Sequence, residues 1–186
     1  MKGLNKLELT LAIIKPHVVK NPIVLKKIRE IIINNNFKII KSQRKIMTPN
    51  DANAFYADHK EKFFFNRLFT FMCSGPSDIH ILARENAISK WRQIMGPTKV
   101  FYAQYSHPQS IRGKYGLTDT RNATHGSDSQ ESAEREMNIF FHDFDTLKWI
   151  KEEENYFRNE KIKLDTELFV HKIYDNNNHN NNDDDV

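Results

Sequence analysis

The sequence predicts an α/β (α+β) fold, a ferredoxin-like sandwich in which a four-stranded antiparallel sheet has helices packed on one face. Short apolar runs of strand length alternate with segments of helical period, in the order β-α-β-α-α-β-α-loop-β-α. Clusters of Pro, Gly and Asn interrupt the pattern where each element should stop. At 186 residues the chain has room for one substantial core, and 13 phenylalanines supply much of its area although only 39% of residues are hydrophobic.

Leu7 to Ile14 reads as a strand that alternates at first and is then wholly buried. Asn21-Pro22 starts a helix with proline in its first turn, and Ile23, Leu25, Ile28, Ile31 and Ile32 form its apolar stripe. Asn34-Asn35-Asn36 ends it. Phe37 to Met47 predicts a second strand, and Thr48-Pro49 a helix running toward His59. Lys62 to Met72 is an aromatic-rich helical segment, Ser74-Gly75-Pro76 a turn, and Ile79 to Ala83 a third strand. Asn86 to Met95 is helical and stops at Gly96-Pro97. Residues 97 to 121 are expected to form a long connection, which in a compact domain is more often functional than idle. A short strand ending near His125 and a helix from about Ser129 to Phe141 complete the order.

The domain is expected to occupy residues 1–150, with a C-terminal extension over 151–174. Lys148 to Glu154 reads as helical there, and Glu167 to Tyr174 as a short strand or wrap. Residues 175–186 are an Asn/Asp tract predicted to be a disordered tail, since it cannot bury enough apolar surface. The single cysteine, Cys73, excludes an internal disulfide framework and fits a reducing compartment. The apolar run Leu9 to Ile14 is too short for a membrane span, and residues 1 to 6 show no arginine-rich presequence. A cytoplasmic location is expected, with no membrane partner. The net charge of +4 suits anionic ligands such as nucleotides and is weak support for nucleic-acid binding.

Asn122 to Ser129, NATHGSDS, is the most informative stretch. It places a histidine at the end of a β-prone run, then a glycine, then a Ser-Asp-Ser helix start, where either Asp128 with Glu131 or Ser129 serves as the cap. An imidazole on such a corner is a competent nucleophile near neutral pH, where much of it is ordinarily uncharged. No Gly-rich phosphate loop exists, so any phosphate must be held by side chains. Arg92, before the Gly96-Pro97-Thr98 stop, and Arg112, in Ile111-Arg112-Gly113, are suited to it, because a guanidinium meets phosphate oxygens bidentately. Lys15 stands directly after the first strand, fixed by Pro16.

These residues resemble the nucleoside diphosphate kinase family, whose active-site motif has the form Asn-x-x-His-Gly-Ser-Asp. The resemblance extends in order through Ile13-Ile14-Lys15-Pro16, Phe55-Tyr56, Phe63-Phe64-Phe65, Met72-Cys73-Ser74-Gly75-Pro76, Trp91-Arg92, Met95-Gly96-Pro97-Thr98 and Ile111-Arg112-Gly113. GLTDTRNATHGSDS and MGPTKVF look most like the divergent type 6 subgroup, which leaves a mitochondrial association open.

The resemblance implies ping-pong transfer of a γ-phosphate from a nucleoside triphosphate to a nucleoside diphosphate. The intermediate would be a phosphohistidine on the pros nitrogen of His125. It implies Lys15 and Asn122 at the ribose, Phe64 and Leu68 at the base, and Arg92, Thr98 and Arg112 around the phosphates. Tyr56 is implied beside Lys15, Ser127 and Glu136 as orienting the histidine, and Asp128 as supporting Mg²⁺. Nucleoside di- and triphosphates are the implied partners, and a homo-oligomer is left open. The chain departs from the family pattern at His17, where an aspartate is usual, at Asp119, where an apolar residue is usual, and in a longer 98–112 loop. A catalytically weak nucleotide-binding regulatory protein and a single-strand nucleic-acid binder are the other function classes that the residues allow.

Overall fold

The computed structural model describes residues 6–174, so the 175–186 tract lies outside the described residues. β1 (Glu8–Ile14) leads through a single-turn helix α1 (Pro16–Val19) to α2 (Pro22–Asn34). The Asn21 side chain accepts the Val24 N–H at the start of α2, and Leu25, Ile28 and Ile32 form its buried stripe, whereas Ile23 is exposed. Asn36, with φ at 60°, turns the chain out of the helix, a conformation asparagine tolerates better than most residues.

β2 (Lys38–Lys45) follows, then α3 (Pro49–Phe55), which starts on a reciprocal Thr48–Asp51 capping box. It stops short of His59, and residues 57–59 make a 3₁₀ turn instead. α4 (Phe65–Met72), β3 (Ser77–Arg84) and α5 (Ala87–Met95) match the apolar periodicity.

The expected long connection over 97–121 is corrected by two short helices, α6 (Val100–Ser106) and α7 (Ile111–Tyr115). Each buries only two residues, Val100 and Ala103 or Ile111 and Arg112, so neither carries a long enough stripe to be read from period alone. β4 (Thr124–Gly126) precedes α8 (Gln130–Phe140), and Ser129 rather than Asp128 caps it by accepting the Ser132 N–H.

The sheet is antiparallel throughout, in the order β2-β3-β1-β4. Helices cover both of its faces, which corrects the single covered face. Leu9, Leu11 and Ile13 of β1 pack with residues of α3, α4 and α8. Ala12 and Ile14 pack with residues of α2 and α5. A strand covered on both sides reads as a continuous apolar run, as this one does from Leu11 to Ile14.

Residues 146–173 pack onto this fold. α9 (Thr146–Glu152) and α10 (Glu154–Arg158) place Trp149 and Phe157 in the first core, and the buried Glu154 accepts the Leu7 N–H at 3.0 Å. β5 (Ile162–Asp165) and β6 (Val170–Ile173) form a hairpin against the outer strand β2, where His171 Nδ1 accepts the Ile39 N–H at 2.9 Å. Phe169 occupies the last position of its four-residue loop with φ at 53°. Its ring lies 4.5 Å from the Arg29 guanidinium and 5.3 Å from the buried His80 ring. Phe169→Ala is expected to cost about 3–5 kcal/mol, read as a lower urea midpoint. Nucleotide affinity should not change, since β2 and β4 are opposite edges of the sheet. Among the described residues, no helix is long and apolar enough to cross a membrane.

Candidate active site

β4 pairs with β1 so that His125 stands opposite Ile13, which directs both side chains to the face carrying α3 and α8. His125 Nε2 lies 2.9 Å from Glu136 Oε2. The same oxygen accepts the Ser127 hydroxyl at 2.7 Å, and Ser127 Oγ accepts the Leu11 N–H at 3.2 Å. A carboxylate oxygen already accepting one hydroxyl fits Nε2 as donor, which leaves Nδ1 as the ring nitrogen with a lone pair. The Phe55 ring meets the imidazole edge-on, with centroids 4.8 Å apart, and fixes its plane. The His125 side chain keeps 25% of its surface exposed, while Glu136 keeps 6%.

The chain reaches His125 through a strained corner. Thr124 N–H donates to Asn122 O across Ala123, whose φ is 70°, a γ-turn of the rarer and costlier hand. Three donors hold the successive carbonyls of this corner. Lys15 N–H donates to Ala123 O at 2.9 Å, Arg112 Nη2 to Thr124 O at 3.1 Å, and Trp91 Nε1 to His125 O at 3.0 Å.

Cationic side chains gather beside the corner. Arg112 is buried and also donates to Gly96 O at 2.8 Å and Thr98 Oγ1 at 3.3 Å, while Asn122 Nδ2 donates to Thr98 O at 3.3 Å. Burial and then the Arg92 charge push the Arg112 guanidinium down to about 10. Lys15 is buried, with Nζ donating to Thr120 O at 3.2 Å; burial and then the Arg112 charge push its amine down to about 7. His17 sits beside Lys15 and Arg121, with its ring 5.7 Å from Phe71, and is held down to about 4, chiefly by burial. Crowded positive charge of this kind stabilises an incoming anion.

A cleft of about 1020 Å³ opens next to Lys15, lined by Asn66, Thr70 and Phe71 of α4 and by Leu117, Thr120 and Arg121. Phe64 and Leu68 are not among its lining residues. Phe64 is half-buried at the start of α4, beside His59 and Phe63, and Leu68 is buried in the first core. Tyr56 packs edge-on against Phe55, and burial with the Glu136 charge raises its phenol well above the ordinary range. Asp119 also lines the cleft, and its Oδ1 accepts the Val100 N–H at 2.9 Å, tying residue 119 to the start of α6. That is a structural use for this carboxylate.

Asp128 is exposed, and the Ser132 hydroxyl, with a smaller contribution from the Arg92 charge, holds its carboxyl below the ordinary carboxylate range. Among the described residues, no three His, Cys, Asp or Glu side chains group to hold a metal. One ionised carboxylate suits Mg²⁺ that takes its other ligands from phosphate and water.

The structure thus brings together His125, Ser127 and Glu136, and separately Lys15, Thr98, Arg112 and Asn122, with Arg92 acting through its charge. Sequence reasoning missed Phe55 against the imidazole, Trp91 at the His125 carbonyl and the strained Ala123. The signal for Trp91 lies in Gly126, where a Cβ would overlap the indole ring.

The sequence matches the family model described as nucleoside diphosphate kinase over residues 8–146. It is 48% identical over 173 residues to nucleoside diphosphate kinase 6 of Danio rerio, covering 93% of this chain and 98% of that one. To nucleoside diphosphate kinase 6 of Homo sapiens it is 46% identical over 167 residues, covering 90% of each. Among solved structures, the Aquifex aeolicus nucleoside diphosphate kinase is similar with a TM-score of 0.70 and 38% identity, covering 76% of this chain and 97% of that one. The Halobacterium salinarum enzyme, solved in complex with CDP, is similar with a TM-score of 0.68 and 29% identity, covering 78% and 99%.

Proposed function

This chain belongs to the nucleoside diphosphate kinase family, and on that premise we propose that it transfers a γ-phosphate between nucleotides through His125. The observation carrying this reading is the Nε2–Glu136 hydrogen bond, which supports Nδ1 as the attacking nitrogen. In the first half-reaction Nδ1 forms a bond to the γ-phosphorus of ATP. The bond from that phosphorus to the bridging oxygen breaks, and the nucleoside diphosphate leaves with the electron pair. As the ring gains positive charge, Glu136 supports it through Nε2–H, and the Ser127 hydroxyl keeps the carboxylate in place. An acceptor diphosphate then takes the group by the reverse displacement at Nδ1, giving CTP, GTP or UTP.

Arg92, Arg112 and Lys15 neutralise the spreading charge of the transferred group, with Thr98 holding an oxygen. Asn122 and Lys15 would meet the ribose, and Phe64 with Leu68 the base, a stacking contact that tolerates every base. Asp128 with the phosphates would hold Mg²⁺, which supplies neutralisation of the phosphate oxygens when bound. Tyr56 would brace Phe55 and through it the imidazole. The reading assigns catalysis to residues 1–150 and bracing to 151–174.

The test is incubation of the purified chain with γ-labelled ATP, followed by a mixture of diphosphates. An acid-labile, base-stable label that then moves to the diphosphates is the expected result. Nucleotide bound without label would favour the regulatory binding protein instead.

Lys15 adds a pH dependence to binding. A phosphate brought beside it raises its pKa from the free value of about 7. Below pH 7 the amine is charged in both states and contributes no slope. Above it binding takes up a proton, so nucleotide affinity should fall by up to about tenfold per unit between pH 7 and 9. Lys15→Met should flatten that profile, as read by calorimetric titration across the range.

A further inference from the structure

Trp91 has no part in the chemistry proposed above, yet it touches the nucleophile's own backbone. Its indole Nε1–H donates to the carbonyl oxygen of His125, and no other indole is near this corner, Trp149 being packed against Phe157. The ring is fully buried and stands edge-on to Phe37, with centroids 5.9 Å apart. It therefore cannot swing away without opening the second core. The close approach depends on Gly126, because any side chain there would collide with the indole.

The contact acts at a place where backbone position is in question. His125 follows Ala123 in its left-handed γ-turn, a conformation that persists only when its surroundings over-determine it. The Lys15 N–H and Arg112 Nη2 restrain the two carbonyls before His125, and Trp91 restrains that of His125 itself. Arg92 is the next residue on α5, so the helix that fixes the nucleophile also carries a phosphate-binding cation.

We propose that Trp91 is a positioning residue for the His125 nucleophile: its indole N–H holds the His125 carbonyl and so sets the imidazole in register with Arg92. This rests on the phosphohistidine reading above, since positioning matters only if the ring attacks. A displacement of about 1 Å in an in-line attack slows it by up to about 10²-fold. Nucleotide binding, assigned above to side chains such as Lys15, Asn122 and Arg112 rather than to this carbonyl, should be untouched.

Two variants separate the hydrogen bond from the packing. Trp91→Phe removes the N–H and part of the ring. Benzothienylalanine placed at position 91 keeps the bicyclic shape and removes the N–H alone. The expected result for both is single-turnover phosphorylation of His125 slowed about 10- to 100-fold, with nucleotide Kd within twofold of the wild-type chain. The His125 imidazole Cε1–H resonance, identified by its loss in His125→Ala, should shift or split in both.

Wild-type rates and an unmoved resonance in the benzothienylalanine chain would overturn the proposal, even if Trp91→Phe were slow or failed to fold. If the wild-type chain itself takes no label, the phosphohistidine reading fails. The resonance then still decides whether Trp91 places the ring.

Discussion

His125→Ala is expected to abolish phosphoryl incorporation from labelled ATP and to lower triphosphate–diphosphate exchange by on the order of 10⁴-fold or more. The reason is chemical rather than structural. The ring carries the Nδ1 lone pair that the Nε2–Glu136 contact leaves available for attack. Its loss should disturb the fold little, because the side chain is partly exposed and Glu136 retains its bond from Ser127. The urea midpoint should move by the equivalent of about 1 kcal/mol or less, and nucleotide affinity should persist. Exchange retained in this variant, with fold and binding intact, would remove the histidine mechanism outright.

Arg112→Ala is expected to have the second largest effect, and on two observables at once. Arg112 is an inward-facing guanidinium that ties Gly96 O, Thr98 Oγ1 and Thr124 O together, joining the end of α5 to the strand that carries the nucleophile. Removing it leaves buried carbonyl oxygens unpaired, at about 1–3 kcal/mol each, so a loss near 3 kcal/mol in urea unfolding is expected. It also removes a cation from the phosphate region, which should lower kcat/KM by about 10²- to 10³-fold. Arg112→Lys should restore part of the charge effect and little of the stability, because one ammonium cannot reproduce a planar fork with three acceptors. A variant with unchanged stability but slow transfer would reassign Arg112 to substrate contact alone.

The elements legible in the sequence are those whose apolar residues repeat at a clear period or end at a clear stop. Leu25, Ile28 and Ile32 mark α2, Thr48-Pro49 marks the start of α3, and the apolar Leu9 to Ile14 run marks a buried strand. The second covered face was missed, because a strand that alternates at its start and is apolar at its end is compatible with either arrangement of helices. α6 and α7 were missed because they bury so few residues. The β5–β6 hairpin was seen only in its second half, since its anchors, among them Phe169 and the His171–Ile39 bond, do not form an alternating pattern.

The sequence by itself determined the composition of the site: a histidine on a glycine corner, two arginines, one lysine after a buried strand, and the motifs that mark the family. Those are choices of functional group, and functional groups are visible in a string of residues. Only the tertiary structure decided which imidazole nitrogen faces Glu136, that the Lys15 amine is buried beside the Arg112 charge, and which donors restrain the strained turn at Ala123. Each of these depends on distances and solvent exclusion between residues far apart in the chain, as with Glu136 and His125 or Trp91 and His125, and one-dimensional spacing carries neither quantity.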